Sequence, residues 1–336
     1  MNTLKSAEAR TISTTIDPLP GQEHRPIWWA IPLAFTLLYS SWGTTFLAIR
    51  IGVHEEHLPP GLFSGTRVTL AGLMLFAYMW LRGQPLGLPR RDLFWLSVTS
   101  LLMFVGGNGL ITLALGEVPS GVTSILAATL PLWLGLMETV RPRGERLAWT
   151  GWLGLIIGLS GVVLVAQLRS IEDLWNNPGP LYIMLSAIFW ALGSLLMRQH
   201  RPSGSHLSAA AYQMVLGGTA LALVGLACGE GSLLAADHFN QRSALAFAYL
   251  LVVGSLIGFL AYTYLLGHVS ATLVGTYAYV TPMVAVLVGW LIAGEEMSPR
   301  ILIGMGIVLG SVALVRHDQR AKSGTSSTVP APLGEP

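Results

Sequence analysis

Ten stretches of roughly 20 apolar residues, each bounded by charged or turn-forming residues, dictate what this chain can fold into. They lie near residues 27–49, 61–81, 93–114, 121–140, 149–167, 179–198, 207–228, 244–266, 271–293 and 301–315. A helix of that length crosses the hydrocarbon layer of a bilayer, about 30 Å thick, and satisfies its own backbone hydrogen bonds as it does so. Hydrophobic residues make up 52% of the chain and charged residues 11%. Soluble proteins carry about 25% charged residues, so the charge here is too sparse to cover a soluble globule, and disorder is excluded by the same numbers. The expected fold is therefore all-α and integral to the membrane, with ten transmembrane helices and the lipid bilayer as solvent.

Basic residues set the expected orientation. With ten spans, one side of the membrane collects both termini together with Arg82, Arg90, Arg91, Arg141, Arg143, Arg146, Arg198 and Arg201. The other side holds Arg50, Arg169, Arg242 and Arg300, and is rich in Glu55, Glu56, Glu117, Glu172, Asp173, Glu230, Asp237, Glu295 and Glu296. Both termini are accordingly expected in the cytoplasm. The polar segment 1–26 has no apolar core and reads as a cytoplasmic tail, without a cleavable signal. The segment 316–336, rich in Ser, Thr, Pro and Gly, reads as a disordered tail. The single cysteine, Cys228, allows no intramolecular disulfide and no cysteine-based zinc site, and a net charge of +2 does not suggest nucleic acid.

The chain also repeats itself. Shifted by 151 residues, Gly107 falls on Gly258, Thr112 on Thr263, Leu115-Gly116 on Leu266-Gly267, Val118 on Val269, Ala127 on Ala278, Pro131 on Pro282 and Glu145 on Glu296. A shift of 148 places Trp42, Leu47 and Arg50 on Trp190, Leu195 and Arg198. The expected organisation is a five-helix repeat over 27–167, a connection over 168–178, and a second five-helix repeat over 179–315. Five is odd, so the second repeat would enter the membrane from the opposite side. Such inverted repeats are the construction of secondary transporters with a central binding site. Pro131 and Pro282 fall at matched depth, where each removes the hydrogen bond to the carbonyl four residues earlier. They are read as hinges beside a cavity, against the alternative of kinks that serve packing alone.

Several segments together resemble a known family. They are Trp42-Gly43-Thr44-Thr45-Phe46, Ile49-Arg50 through Pro59-Pro60, Arg67, Gly107-Asn108-Gly109, Pro119-Ser120-Gly121 through Pro131, Tyr277-Ala278-Tyr279-Val280-Thr281-Pro282, and Glu295-Glu296. Over residues 30–315 the chain resembles the EamA-like branch of the drug/metabolite transporter superfamily, and within it the YedA-type members. The resemblance implies a ten-helix inverted-repeat carrier that exports small metabolites, amino acids or drug-like compounds. It also implies a cavity lined mainly by the first, third, fourth, sixth, eighth and ninth spans. The repeat is imperfect at this level: Gly43-Thr44 becomes Ala191-Leu192, and Gln213 stands near the position equivalent to Arg67.

Arg67 is the most informative single residue. A charge within a span costs about 2.5–3.5 kcal/mol at the helix centre, and marks function by default. Its guanidinium suits a substrate carboxylate; the alternatives are snorkelling, or a structural pair with Glu117 or Glu55. Trp42 and Trp190, interior and paired by the repeat, suit stacking on a planar solute or, equally, helix packing. Thr44, Thr45, Asn108, Gln213, Tyr262, Tyr264, Tyr277 and Tyr279 supply polar groups that can orient a ligand in an apolar pocket. Glu138, near Arg141 and Arg143, is read either as a carrier of a coupling proton or as half of an ion pair at the membrane surface. Gly154 and Gly158 suit packing within the bundle. His54-Glu55-Glu56-His57 reads as a solvated turn, so no metal and no cofactor is expected.

The expected function is that of a secondary transporter working by alternating access on a small-molecule substrate. The rival classes are a membrane-embedded enzyme and a non-transporting structural protein. The spans offer no His-Glu-x-x-His motif and no Gly-x-Ser-x-Gly turn for an enzyme, and no phosphate-binding loop for ATP-driven pumping.

Overall fold

The computed structural model describes residues 29–141, 149–166, 176–200, 202–203, 205–233, 240–268 and 277–325, and these are helical with no strand among them. In chain order the α-helices are α1 (Ala30–Arg50), α2 (Pro60–Leu81), α3 (Arg90–Ser100), α4 (Leu110–Leu115), α5 (Ser120–Ala127), α6 (Leu130–Val140) and α7 (Trp149–Ala166). They continue with α8 (Gly179–Gln199), α9 (His206–Ala227), α10 (Gln241–Tyr249), α11 (Gly258–His268), α12 (Tyr277–Ala293) and α13 (Pro299–Thr325). A π-helical stretch, Leu101–Gly109, joins α3 to α4, and another, Leu250–Ile257, joins α10 to α11. The two stretches fall at nearly the same place in the repeat. Neither had a signature in the sequence.

Seven helical segments are long and apolar enough to cross a bilayer, and two shorter apolar helices, Val280–Ala293 and Pro299–Leu314, accompany them. The expected ten is thus met by seven on length and hydropathy. α1 is long enough but more polar, because Thr36, Ser40, Ser41, Thr44 and Thr45 punctuate it. Its hydroxyls return to the helix: Thr36 donates to the Pro32 carbonyl (3.0 Å), Ser40 to Thr36 (2.6 Å) and Thr44 to Ser40 (2.6 Å). Hydroxyls bonded this way lower hydropathy without leaving a polar group bare. At the other end of the chain, α13 runs on to Thr325, so the segment expected to be disordered from residue 316 begins as helix. The run His317–Lys322 is rich in good helix formers, and these extend the last apolar span.

Glycines decide how closely the helices approach. α2 and α9, equivalent in the repeat, pack along their lengths. A Cβ on Gly65 would lie 2.4 Å from the Ala222 amide nitrogen, and one on Gly218 would lie 2.5 Å from that of Thr69. α7 and α13 do the same through Gly158, Gly161 and Gly304, so the Gly158 surface is used inside the bundle. Large apolar side chains face outward, among them Trp80, Leu81, Ile156, Leu223 and Ile292, as a lipid-facing surface requires. Trp29, Trp149 and Trp152 are exposed at helix ends, as interfacial anchors should be.

The paired prolines behave differently. Ahead of Pro131 the span is broken at Ala128–Thr129 and restarts as α6, with Leu132 N–H donating to the Thr129 carbonyl at 2.8 Å. Pro282 lies within the continuous α12, where Thr281 Oγ1 donates to the Tyr277 carbonyl at 2.8 Å. Only the first proline sits at a helix break.

Candidate functional site

Arg67 projects from the second turn of α2 and is 4% exposed. Its Nη1 donates to Ser255 Oγ at 2.9 Å and its Nη2 to Ser64 Oγ at 3.1 Å. Ser64 in turn donates to Asn108 Oδ1 at 2.5 Å, and Thr112 Oγ1 donates to the Asn108 carbonyl at 2.7 Å. Arg67 Nε has no acceptor among the described residues. Among the described residues no carboxylate pairs with the guanidinium: Glu55, one of its expected structural partners, pairs with Arg242, as does Glu56. The described partners of Arg67 are thus neutral hydroxyls, and a desolvated cation held in that way is costly to keep.

The π stretches bring Thr45 and Asn108 against this centre and carry contacts of other candidates away from it. On Leu250–Ile257, Ser255 meets Arg67, and Gly254 admits the Thr45 methyl, which lies 2.6 Å from where a Cβ would be. Ser41 Oγ donates to the Val253 carbonyl at 2.9 Å. On Leu101–Gly109, Asn108 joins the Arg67 network. Gly107 and Met103 face the second-repeat candidates: Trp190 lies over Gly107, and Ser186 Oγ donates to the Gly107 carbonyl at 2.8 Å. Gln213 Nε2 donates to Thr99 Oγ1 at 3.0 Å and approaches Met197 Sδ at 3.2 Å.

The two tryptophans occupy matching seats. Trp42 rests on Gly258, where a Cβ would come within 2.6 Å of Nε1; Trp190 rests on Gly107, where it would come within 2.8 Å of Cε3. Each indole therefore stands on the glycine that is the repeat equivalent of the other's. Around Trp42 the rings of Tyr262 (5.3 Å) and Tyr277 (4.9 Å, edge-on) complete an aromatic cluster, while Trp190 meets Phe104 at 6.3 Å. Thr44 is turned elsewhere, its hydroxyl 2.6 Å from that of Tyr249. The side chains of Tyr279 and Glu138 lie outside the described residues. His54 Nδ1 contacts the Gly116 carbonyl at 2.6 Å, so the His54–His57 turn is tied down by charge pairs and backbone.

Four contributors were not singled out as site residues from sequence. Ser64 and Ser255 are indistinguishable there from any membrane serine. Glu230 was counted only as charge on the acidic side, and Glu295 as such charge and as part of the resemblance, yet both are bound to helix starts. Glu230 accepts from the N–H groups of Gly61 and Leu62, and Glu295 from those of Ser120 and Gly121. Arg50 Nε lies 3.4 Å from Glu295, and its Nη1 donates to the Val118 carbonyl at 2.7 Å. A cavity of about 400 Å³ opens beside this corner, with Glu117, Pro119, Asn177, Glu295 and Arg300 among its walls.

A helical bundle with apolar side chains facing outward and a buried cation and aromatic rings within it defines a polytopic membrane protein. The model of the EamA-like transporter family matches residues 28–167 and again residues 177–316. The chain belongs to that family and is a membrane transporter. It is 37% identical over 285 residues to the inner membrane transporter YedA of Escherichia coli K12, covering 84% of this chain and 89% of YedA. It is 25% identical over 264 residues to the transporter YoaV of Bacillus subtilis, covering 78% and 88% respectively. It is also 25% identical over 302 residues to the chloroplastic WAT1-related protein At3g02690 of Arabidopsis thaliana, covering 85% and 70%. A crystal structure 21% identical in sequence superposes with a TM-score of 0.59, covering 87% of this chain and 99% of its own, a likeness of fold.

Proposed function

We propose that this transporter is a secondary carrier of the inner membrane that exports small organic solutes bearing a carboxylate, such as amino acids or drug-like acids. The reading takes the chain as ten spans in two inverted five-helix repeats, with both termini cytoplasmic and Pro131 the working hinge. Access alternates between the two faces, with a proton exchanged through Glu138. The observation that carries it is the buried Arg67 guanidinium, held by Ser64 and Ser255 with Nε unused. A carboxylate arriving there satisfies the free donor and neutralises the charge, which two hydroxyls cannot do. Trp42, Tyr262 and Tyr277 supply an apolar aromatic wall for the rest of the solute, with Thr45, Asn108, Gln213, Trp190 and Tyr279 completing the surround. Burial of Arg67 on all sides requires helices to part before solute reaches it, and alternating access provides that motion.

Counterflow in proteoliposomes against a panel of amino acids and aromatic monocarboxylates tests the reading. Uptake is expected for at least one carboxylate, lost in Arg67→Gln and partly retained in Arg67→Lys. A well-folded Arg67→Gln protein that transports at the parent rate refutes the assignment. Indifference to an imposed pH gradient removes the proton and leaves facilitated diffusion.

A further inference from the structure

Two glutamates at the acidic end of the bundle are built into the same device. Gly229, with φ +86, ends α9 in the left-handed conformation, and the next residue, Glu230, folds over onto the start of α2. Its two oxygens accept from consecutive amides, Gly61 N–H at 2.9 Å and Leu62 N–H at 2.8 Å. Gly294, with φ +65, follows α12 in the same conformation, and Glu295 folds onto the start of α5. Its oxygens likewise accept from consecutive amides, Ser120 N–H at 2.7 Å and Gly121 N–H at 3.0 Å. Each carboxylate sits in a slot that a side chain would fill: a Cβ on Gly225 would lie 2.6 Å from Glu230 Oε2, and one on Gly289 would lie 2.5 Å from Glu295 Oε2.

In both cases the capped helix comes from the first half of the chain and the carboxylate from the second. Helix starts carry unsatisfied N–H groups and partial positive charge, so a carboxylate from a neighbouring helix ties the two together by charge as well as geometry. At the opposite end no carboxylate among the described residues ties α2 to α9 in this way. There Gly83, with φ +62, ends α2 as Gly229 ends α9, but the following residue is the exposed, neutral Gln84. Gly83 and Gly229 stand 146 residues apart, as do Arg67 and Gln213. The start of α9 is capped by its own Ser205, whose Oγ accepts from Ser208 N–H at 3.1 Å. At that end α9 is joined to the chain after α2 by a neutral bond instead, from the Tyr212 hydroxyl to the Leu86 carbonyl at 3.0 Å, so the glutamate latch on the α2–α9 pair is at one end only among the described residues.

We propose that Glu230 and Glu295 are paired latches that hold the acidic end of the bundle shut and release together when the carrier opens on that face. The proposal rests on the alternating-access reading above. In it, the halves separate at one end at a time, and every contact that crosses between halves at that end must break. Both latches cross, and each can be replaced by water at the helix start once the carboxylate withdraws.

The test uses the full-length protein, purified in detergent, with Cys228→Ser removing the native thiol and Ser120→Cys as reporter. Ser120 is fully buried beneath Glu295 and does not touch Glu230. Labelling by a water-soluble maleimide is expected to be slow in the reporter protein. It is expected to rise at least tenfold when Glu230→Gln is added, because release of one latch frees the other. Glu230→Asp, too short to span both amides, should act likewise if the glutamine variant is poorly folded. An unchanged rate with a correctly folded Glu230 variant overturns the proposal and reduces each glutamate to a local helix cap. Transport is measured in the same reporter protein. Unchanged labelling in a protein that transports defeats the latch alone, and a tenfold rise in one that does not transport supports the latch while the carrier reading fails.

Discussion

Gly65→Ala is expected to be among the most damaging small substitutions in the molecule. The added methyl would lie 2.4 Å from the Ala222 amide nitrogen, 2.7 Å from the Gly218 carbonyl oxygen and 2.8 Å from the Ala222 Cα. Unstrained contacts between such atoms begin near 3.5 Å, so α2 and α9 must part by about 1 Å. All three obstructing atoms are backbone, and none can rotate aside. Overpacking costs about 1–3 kcal/mol where side chains can adjust, and this site belongs at the upper end. Parting the helices by that amount also stretches the 2.8–2.9 Å bonds from Glu230 to the start of α2 beyond hydrogen-bonding length. An apparent melting temperature lower by roughly 5 °C is expected at about 2 °C per kcal/mol for a chain of this size, read by fluorescence-detected size exclusion. Gly310→Ala is the matched control, because nothing lies within 4 Å of its new methyl, and it should melt with the parent or slightly above it. If Gly65→Ala melts within about 1 °C of Gly310→Ala, the close backbone approach is not what holds this pair together.

Asn108→Leu removes the acceptor of the Ser64 hydroxyl and should destabilise by about 1–3 kcal/mol in the same assay, with impaired transport, since Ser64 also holds Arg67. Arg242→Ala breaks the pairs with Glu55 and Glu56, but Arg242 is 61% exposed, so the loss should stay below about 1 kcal/mol. Gly258→Ala drives a methyl to 2.6 Å from Trp42 Nε1; the indole can turn away, so stability should change little while the KM of any transported aromatic solute rises. Arg50→Gln loses the contact with Glu295 and the bond to the Val118 carbonyl, and should lower the melting temperature by several degrees, the cost of about 1–3 kcal/mol for bonds to a charged group.

The parts of this molecule legible in its sequence are those that repeat or that resist lipid. Apolar runs placed the helices closely because lipid leaves backbone groups no partner but their own helix. The Trp42/Trp190 and Gly107/Gly258 pairings were read from the shift of the sequence on itself. The crossing of the pairs, with each indole on the other's glycine, needed three dimensions. Arg67 stood out because charge inside a span is expensive; Ser64 and Ser255, which hold it, did not, because single hydroxyls are cheap in a helix. Glu230 and Glu295 were hidden for the opposite reason. Charge at a span end is expected, and only the left-handed glycine before each directs it at a neighbour's amides. The proline pair misled in part, since sequence alone does not say whether a helix yields around a missing hydrogen bond or simply bends.

The two π-helical stretches store backbone. Each winds more residues into a turn than the α-helices that flank it, while keeping its amides bonded and therefore tolerable in hydrocarbon. Moving such a bulge along by one residue would turn the intervening side chain about 100° around the axis without lengthening the rod or baring a single amide. Asn108 and Ser255 sit on these stretches, so a sub-turn slip would swing the groups around Arg67 in and out of reach while the outer surface of the bundle kept its fit to the lipid.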